Sequence, residues 1–185
     1  MKYSMLVWVL LCCGVLTGAC SKQVHVVGKP FQPTEERFFD DGMDVIADSS
    51  SLSGQFGFET REDLDARSNL ADVVALVTVS TVQTNEMASG AERRIEVTIE
   101  RVLYGEGFSA ASYQLRSGSS SLGYTLLERH ESALTGQMLL FLRTFPESEG
   151  ADHHFHLSPA SATVLTVVED YLKKRVEAEQ KADDD

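Results

Sequence analysis

The sequence predicts a mainly β domain with flanking helices, an α+β arrangement, and three observations carry that reading. Residues 71–79 are rich in β-branched side chains and residues 137–145 hold the unbroken apolar run Met138-Leu139-Leu140-Phe141-Leu142, both of strand length. Ile95, Val97 and Ile99 alternate with Glu96, Thr98 and Glu100, the period of a half-buried strand. Near the C-terminus, Val164, Val168, Tyr171, Leu172 and Val176 recur at three- and four-residue steps, the stripe of an amphipathic helix.

From the N-terminus, one positive charge at Lys2 precedes an apolar run over residues 5–16, the n-region and h-region of an export signal. The run is shorter than the roughly 20 residues a membrane-spanning helix needs. It closes in Leu16-Thr17-Gly18-Ala19-Cys20. This stretch resembles the lipobox of bacterial lipoproteins, with Thr17 where leucine is commonest. The resemblance implies a signal peptide over residues 1–19, lipid on the Cys20 thiol, and cleavage before Cys20. The other reading is an ordinary secretory signal cut after Ala19, with Cys20 a free thiol. Cys12 and Cys13 would be lost with the signal, leaving Cys20 as the single cysteine and no intramolecular disulfide. Lipid on that thiol removes an exposed reactive group and anchors the chain in a membrane, each buried methylene adding about 0.8 kcal/mol. Ser21 rather than Asp after the cysteine is, in that family, the mark of onward transfer to the outer membrane.

Residues 20–36 read as the lipidated cysteine and a polar, proline-containing tether. Residues 37–70 read as a segment that docks through Phe38, Phe39, Val45 and Ile46, a serine-rich loop, and a short helix over 60–70. Thr60 is placed as its cap, with Glu62 and Asp63 in its first turn. The body spans residues 71–182. A central strand starts at Ala71, residues 84–90 form a polar turn, and the alternating strand around Ile95 to Glu100 ends at Tyr104-Gly105-Glu106-Gly107. Short strands follow at 112–116, 137–145, 153–157 and 162–167. A serine-rich loop lies at 117–121, an acidic turn at 146–152, and the closing helix over about 168–181.

The order of these stretches carries a resemblance. Ala71-Asp72-Val73-Val74-Ala75-Leu76-Val77, then Ile95 through the Leu103-Tyr104-Gly105 turn, then Gly136-Gln137-Met138-Leu139-Leu140-Phe141-Leu142 resemble a small OB-like barrel of the netrin and metalloproteinase-inhibitor type. That family inhibits through a free N-terminal cysteine in a disulfide-pinned domain. Cys20 is read as lipidated and unpaired, so the inhibitory chemistry is not implied. Phe39-Asp40-Asp41-Gly42 and His154-Phe155-His156-Leu157-Ser158-Pro159 are similar to stretches of myxobacterial lipoproteins, a likeness that implies no activity.

Charge excludes one class of partner. The chain carries a formal −12, and beyond residue 19 it holds 15 basic and 28 acidic residues, a net −13. Such a surface repels phosphate backbones, which argues against nucleic-acid binding.

Asp152-His153-His154-Phe155-His156 is the cluster with ligand chemistry. On a strand, His154 and His156 share one face and His153 joins Phe155 on the other. Two histidines on one face offer zinc or copper two ligands if a third comes from elsewhere, with His130 a candidate. The plainer reading is a solvent-facing strand edge. Asp40-Asp41-Gly42-Met43-Asp44 has a calcium-loop flavour without the closing glutamate, so it reads as a solvated acidic turn. Tyr104, Phe108, Tyr113 and Tyr124 flank turns and suit either a ligand surface at one end of a barrel or the core. No phosphate loop, dinucleotide fingerprint, serine elbow or zinc-protease motif is present, and no cofactor is implied. The sequence is thus read as a non-enzymatic, lipid-anchored envelope lipoprotein of the outer membrane, with an envelope protein or glycan as partner. A histidine-strand metal binder and, more weakly, a hydrolase are the alternatives.

Overall fold

The computed structural model describes residues 33–45, 61–88, 90–105, 111–147 and 150–184. The export signal, Cys20, Ile46, the serine-rich loop of residues 49–54, Thr60 and Phe108 lie outside them. The elements in chain order are α1 (Pro33–Glu36), β1 (Gly42–Met43), α2 (Arg61–Leu70), β2 (Val73–Met87), β3 (Gly90–Tyr104), β4 (Ser112–Gly118), α3 (Tyr124–Arg129), a 3₁₀ turn (Glu131–Ala133), β5 (Gln137–Glu147), β6 (Gly150–Pro159) and α4 (Ala162–Asp184). The protein is α+β and mainly β, with six strands in one mixed sheet of order β1-β6-β5-β2-β3-β4.

Every pairing is antiparallel except that of β1 with β6. β2 and β3 form a long hairpin whose register slips at three places, between Val74 and Ala75, Leu76 and Val77, and Val79 and Thr81. Such irregularities bend and coil a sheet, and this sheet curls until its two ends face each other. Tyr113 on β4 meets His153 on β6 edge-to-face, with ring centroids 6.4 Å apart.

The curl explains why the central strands are apolar on both faces. Val73, Ala75 and Val77 join Met138, Leu140, Leu142, Ile95, Val97, Leu115, Phe155 and Leu157 inside the curve, beneath Leu127 of α3. Val74, Leu76, Leu139 and Phe141 face outward. There α2 and α4 cover them with Leu64, Val164, Val168 and Leu172, and Phe39 joins the same cluster. Burying one leucine or phenylalanine side chain contributes about 1.5–3 kcal/mol, so both clusters weigh in the stability of the fold.

Several expectations are corrected. Residues 84–86 are strand, not turn: Thr84, Asn85 and Glu86 pair with Arg93, Glu92 and Ala91. The hairpin tip extends past the core, so polarity there reflects solvent on both faces rather than a chain reversal. The acidic turn expected at 146–152 contracts to the junction of β5 and β6, since Pro146 pairs with Ala151 and Phe145 with Asp152. Residues 162–167 are the first turns of α4 and not a strand. The Ser161 hydroxyl accepts from the Val164 N–H at 3.3 Å, a side-chain cap that starts the helix despite four β-branched residues in its first six. Helix α3 was not foreseen, because six residues are too short to show a period. At the N-terminal side, residues 33–36 belong to the docked body rather than the tether, since Glu35 pairs with Arg143 at 3.0 Å.

Candidate functional site

The outer end of the sheet brings together two stretches more than a hundred residues apart. β1 runs parallel to β6, with Gly42 opposite His156 and Met43 opposite Leu157. Asp41 and Asp44 donate their backbone N–H groups to the carbonyls of Phe155 and Leu157, both at 2.9 Å. Asp41 takes a left-handed φ of 54°, a conformation aspartate tolerates better than most residues. In this pose its carboxylate accepts from the Phe155 N–H at 3.1 Å. Gly42 lies back to back with Gly123, where a Cβ on either would meet the other's Cα. Glycine at both positions lets β1 approach the start of α3.

On this frame two charged clusters form, one deep and one shallow. In the deep cluster the His156 ring, 2% exposed, donates from Nδ1 to Asp40 (2.8 Å) and from Nε2 to Asp44 (3.0 Å). Asp44 also accepts from Arg67 at 3.1 Å, and Arg67 reaches back to the Phe38 carbonyl at 3.1 Å. Burial and the Arg67 charge oppose protonation of His156, but the Asp44 and Asp40 carboxylates outweigh them and push its pKa up to about 9. Burial alone would raise the Asp44 pKa, yet His156 and Arg67 together hold it below its ordinary value.

In the shallow cluster His154 donates from Nδ1 to Asp41 (2.9 Å) and from Nε2 to Asp152 (3.0 Å). Asp41 accepts a further bond from the Ser121 hydroxyl at 3.0 Å. Burial works against protonating His154, but the Asp41 bond and charge and then Asp152 prevail and raise its pKa. This cluster borders a cleft of about 670 Å³ between β4 and β6. Tyr113, Gln114 and Arg116 stand on the β4 side, with Asp152, His153 and His154 on the β6 side.

The structure therefore keeps His154 and His156 on one face and Phe155 on the other, as the strand period requires. The solvent-facing edge is corrected for His156, and the solvated acidic turn is corrected for Asp40, Asp41 and Asp44. Asp41 and Asp44 flank β1, bond through their N–H groups to β6 and are 5% and 6% exposed, and Asp40 is half-buried against His156. Each of the four ring nitrogens of His154 and His156 faces a carboxylate oxygen. His156, its pKa pushed up to about 9, is held protonated on both nitrogens and offers no lone pair to a metal or to a proton in flight. Among the described residues no group of three or more His, Cys, Asp or Glu is arranged to hold a metal ion. His130 lies at the junction of α3 and the 3₁₀ turn.

The aromatic candidates separate. Tyr104 belongs to the outer, helix-covered face, where Arg175 stacks 3.9 Å from its ring and its hydroxyl donates to Glu179 at 2.8 Å. Tyr124 is buried in α3, with Arg93 5.9 Å over its ring. Tyr113 alone of the described three lines the cleft. Sequence reasoning missed Asp40, Asp41, Asp44, Arg67 and Asp152 as partners of the histidines. The sequence marked Asp152 within the histidine stretch and Asp40, Asp41 and Asp44 within an acidic one, but nothing in it joined the two stretches or pointed to Arg67.

No family model, curated protein or solved structure matches the chain.

Proposed function

We propose that this chain is a lipid-anchored protein of the bacterial cell envelope, held at the outer membrane through Cys20. Its curled sheet is an open OB-like barrel that presents a binding cleft to an envelope protein or a glycan. The cleft between β4 and β6 carries this reading. Its volume falls in the range of ligand sites, it has an aromatic wall and polar rims, and His154, Asp41 and Asp152 at its edge are committed to one another.

The barrel likeness draws support from topology. β2, β3 and β4 follow one another as neighbours, and β5 returns after a long connection to lie beside β2. That order, β5-β2-β3-β4, is a Greek key, the plan of OB-like barrels. The anchor reading draws on the lipobox-like stretch. From Cys20 to Pro33, at about 3.3 Å per extended residue, the chain has the reach to hold the domain clear of a lipid surface.

Metabolic labelling with a radioactive fatty acid tests the anchor. The wild-type chain should incorporate label and float with outer membranes, and Cys20→Ser should do neither. Label in the serine variant would overturn it. Binding is tested by applying the detergent-solubilised chain to glycan arrays and by crosslinking it in intact envelopes. Blank arrays together with no specific crosslinked protein would end the binding reading.

A further inference from the structure

Resting on the binding-module reading above, we infer that the cleft between β4 and β6 is a site for a neutral oligosaccharide, its sugar rings lying against Tyr113 between polar rims.

The cleft is amphipathic in cross-section. Leu115, Leu142 and Phe155 line it as nearly fully buried apolar groups of the inner core. The half-buried Tyr113 ring stands nearly perpendicular to His153, at 89°, so its orientation is set by packing. Gln114 and Arg116 occupy the exposed positions of β4 that alternate with Tyr113 and Leu115, and Ser120 follows in the adjoining turn. A pyranose ring has the same division, with apolar C–H faces and a rim of hydroxyls that donate and accept. The volume of about 670 Å³ gives room for about two or three such rings.

An extended peptide is the competing occupant; it could pair with the terminal strand β4 on one side only, because the β6 wall opposite offers it few free groups. Strand addition needs free main-chain groups on the edge strand. On β6 the His153 N–H is taken by Asp152 at 2.9 Å and the Phe155 N–H by Asp41 at 3.1 Å. The Phe155 carbonyl is taken by the Asp41 N–H at 2.9 Å. These carboxylates blunt the edge much as charged side chains protect other sheet edges. An anionic polymer is disfavoured as well. Asp41, Glu92 and Asp152 stand at the cleft and the whole chain carries −12, against Arg116.

The test uses the full chain in a detergent without a sugar headgroup. Its probes are a β-linked N-acetylglucosamine trimer, a β-linked glucose trimer, and a decapeptide of alternating valine and threonine. Calorimetry and saturation-transfer NMR should show binding of at least one trimer. Tyr113→Ala should weaken it by about tenfold or more, and Tyr113→Phe should retain most of it. Arg116→Ala, at an exposed position, should weaken it by about threefold even if Tyr113→Ala does not fold. Arg101→Ala, on the helix-covered side, should leave it unchanged. Binding that survives both Tyr113→Ala and Arg116→Ala would overturn the site. Binding of the decapeptide with neither trimer would overturn the sugar assignment and leave the binding-module reading standing. No binding of any probe would overturn the sugar assignment, while the binding-module reading would be judged separately by the arrays and crosslinking.

Discussion

His154 and His156 sit two residues apart on one face of one strand, each between two carboxylates, yet they belong to different regions. His156 is 2% exposed and is braced by Asp40, Asp44 and, through Asp44, Arg67. His154 has a side chain 16% exposed, and its partner Asp152 is 46% exposed. The first cluster is a clasp that fixes the N-terminal segment to β6. The second is the rim of the cleft. Charges interact several-fold more strongly where water is excluded, and their desolvation penalty is also larger. Depth, rather than residue type, therefore separates a group on which the fold depends from one at which the fold can adjust.

The largest expected effect comes from breaking the clasp on one side. Asp44→Asn leaves the His156 and Arg67 cations buried together with one carboxylate fewer. Removing one partner of a buried pair costs about 3–5 kcal/mol. Urea unfolding should show that loss as a lower midpoint with an unchanged slope. A loss under about 1 kcal/mol would mean that Asp44 is no more structural than a surface charge.

The second effect is the pH dependence of the same cluster. His156 has its folded pKa raised from 6.5 to about 9. Its stabilisation is complete below about pH 6.5 and is lost as pH rises through about 9, a span worth about 3 kcal/mol. Asp44 has its pKa lowered, so its contribution is present above 3.8 and is lost as pH falls below that value. Stability should plateau between about pH 4 and 6.5 and decline on both sides. His156→Ala should flatten the alkaline limb, which unfolding midpoints at pH 6 and pH 9.5 will measure. An unchanged limb would place its origin elsewhere.

Between the clasp and the cleft lies the contact of Gly42 with Gly123. Gly123 has an ordinary φ of −75°, so alanine there brings no strain in φ, only a methyl group against the Gly42 backbone and the Asp40 carbonyl. Overpacking of this kind costs about 1–3 kcal/mol. Gly123→Ala should lower the thermal midpoint and loosen both regions together. Faster hydrogen exchange at the Asp41 and Asp44 amides, which bond to β6, would report it.

Much of the sheet was legible because the signals were local. Val73 to Val77 and Met138 to Leu142 read as two-faced apolar strands, and the two clusters on opposite faces show why. Local signals also misled. Thr163, Val164, Thr166 and Val167 look like a strand, while the Ser161 cap and the four-residue spacing of Val164, Val168 and Leu172 make a helix. The clasp was illegible for a different reason. Asp40 and Asp44 meet His156 across 116 and 112 residues of chain, and nothing in either segment states its partner. The cleft was half legible: Tyr113 was singled out, but Tyr104 and Tyr124, which shared its local context, went to other faces.

The smallest effect tests the comparison most directly, because it repeats the clasp substitution at the rim. His154→Ala removes one partner from Asp41 and one from Asp152. Asp41 keeps the Ser121 hydroxyl and the Phe155 N–H, and Asp152 keeps water and the His153 N–H. Neither carboxylate is stranded, so the loss should be about 1 kcal/mol. His156→Ala takes a partner from Asp40 and leaves the buried Asp44 with Arg67 alone, inside a cavity, and should cost several times more. Parallel urea curves at pH 6 give the ratio. Equal losses would show that water reaches both clusters alike, and the distinction between clasp and rim would fall with them.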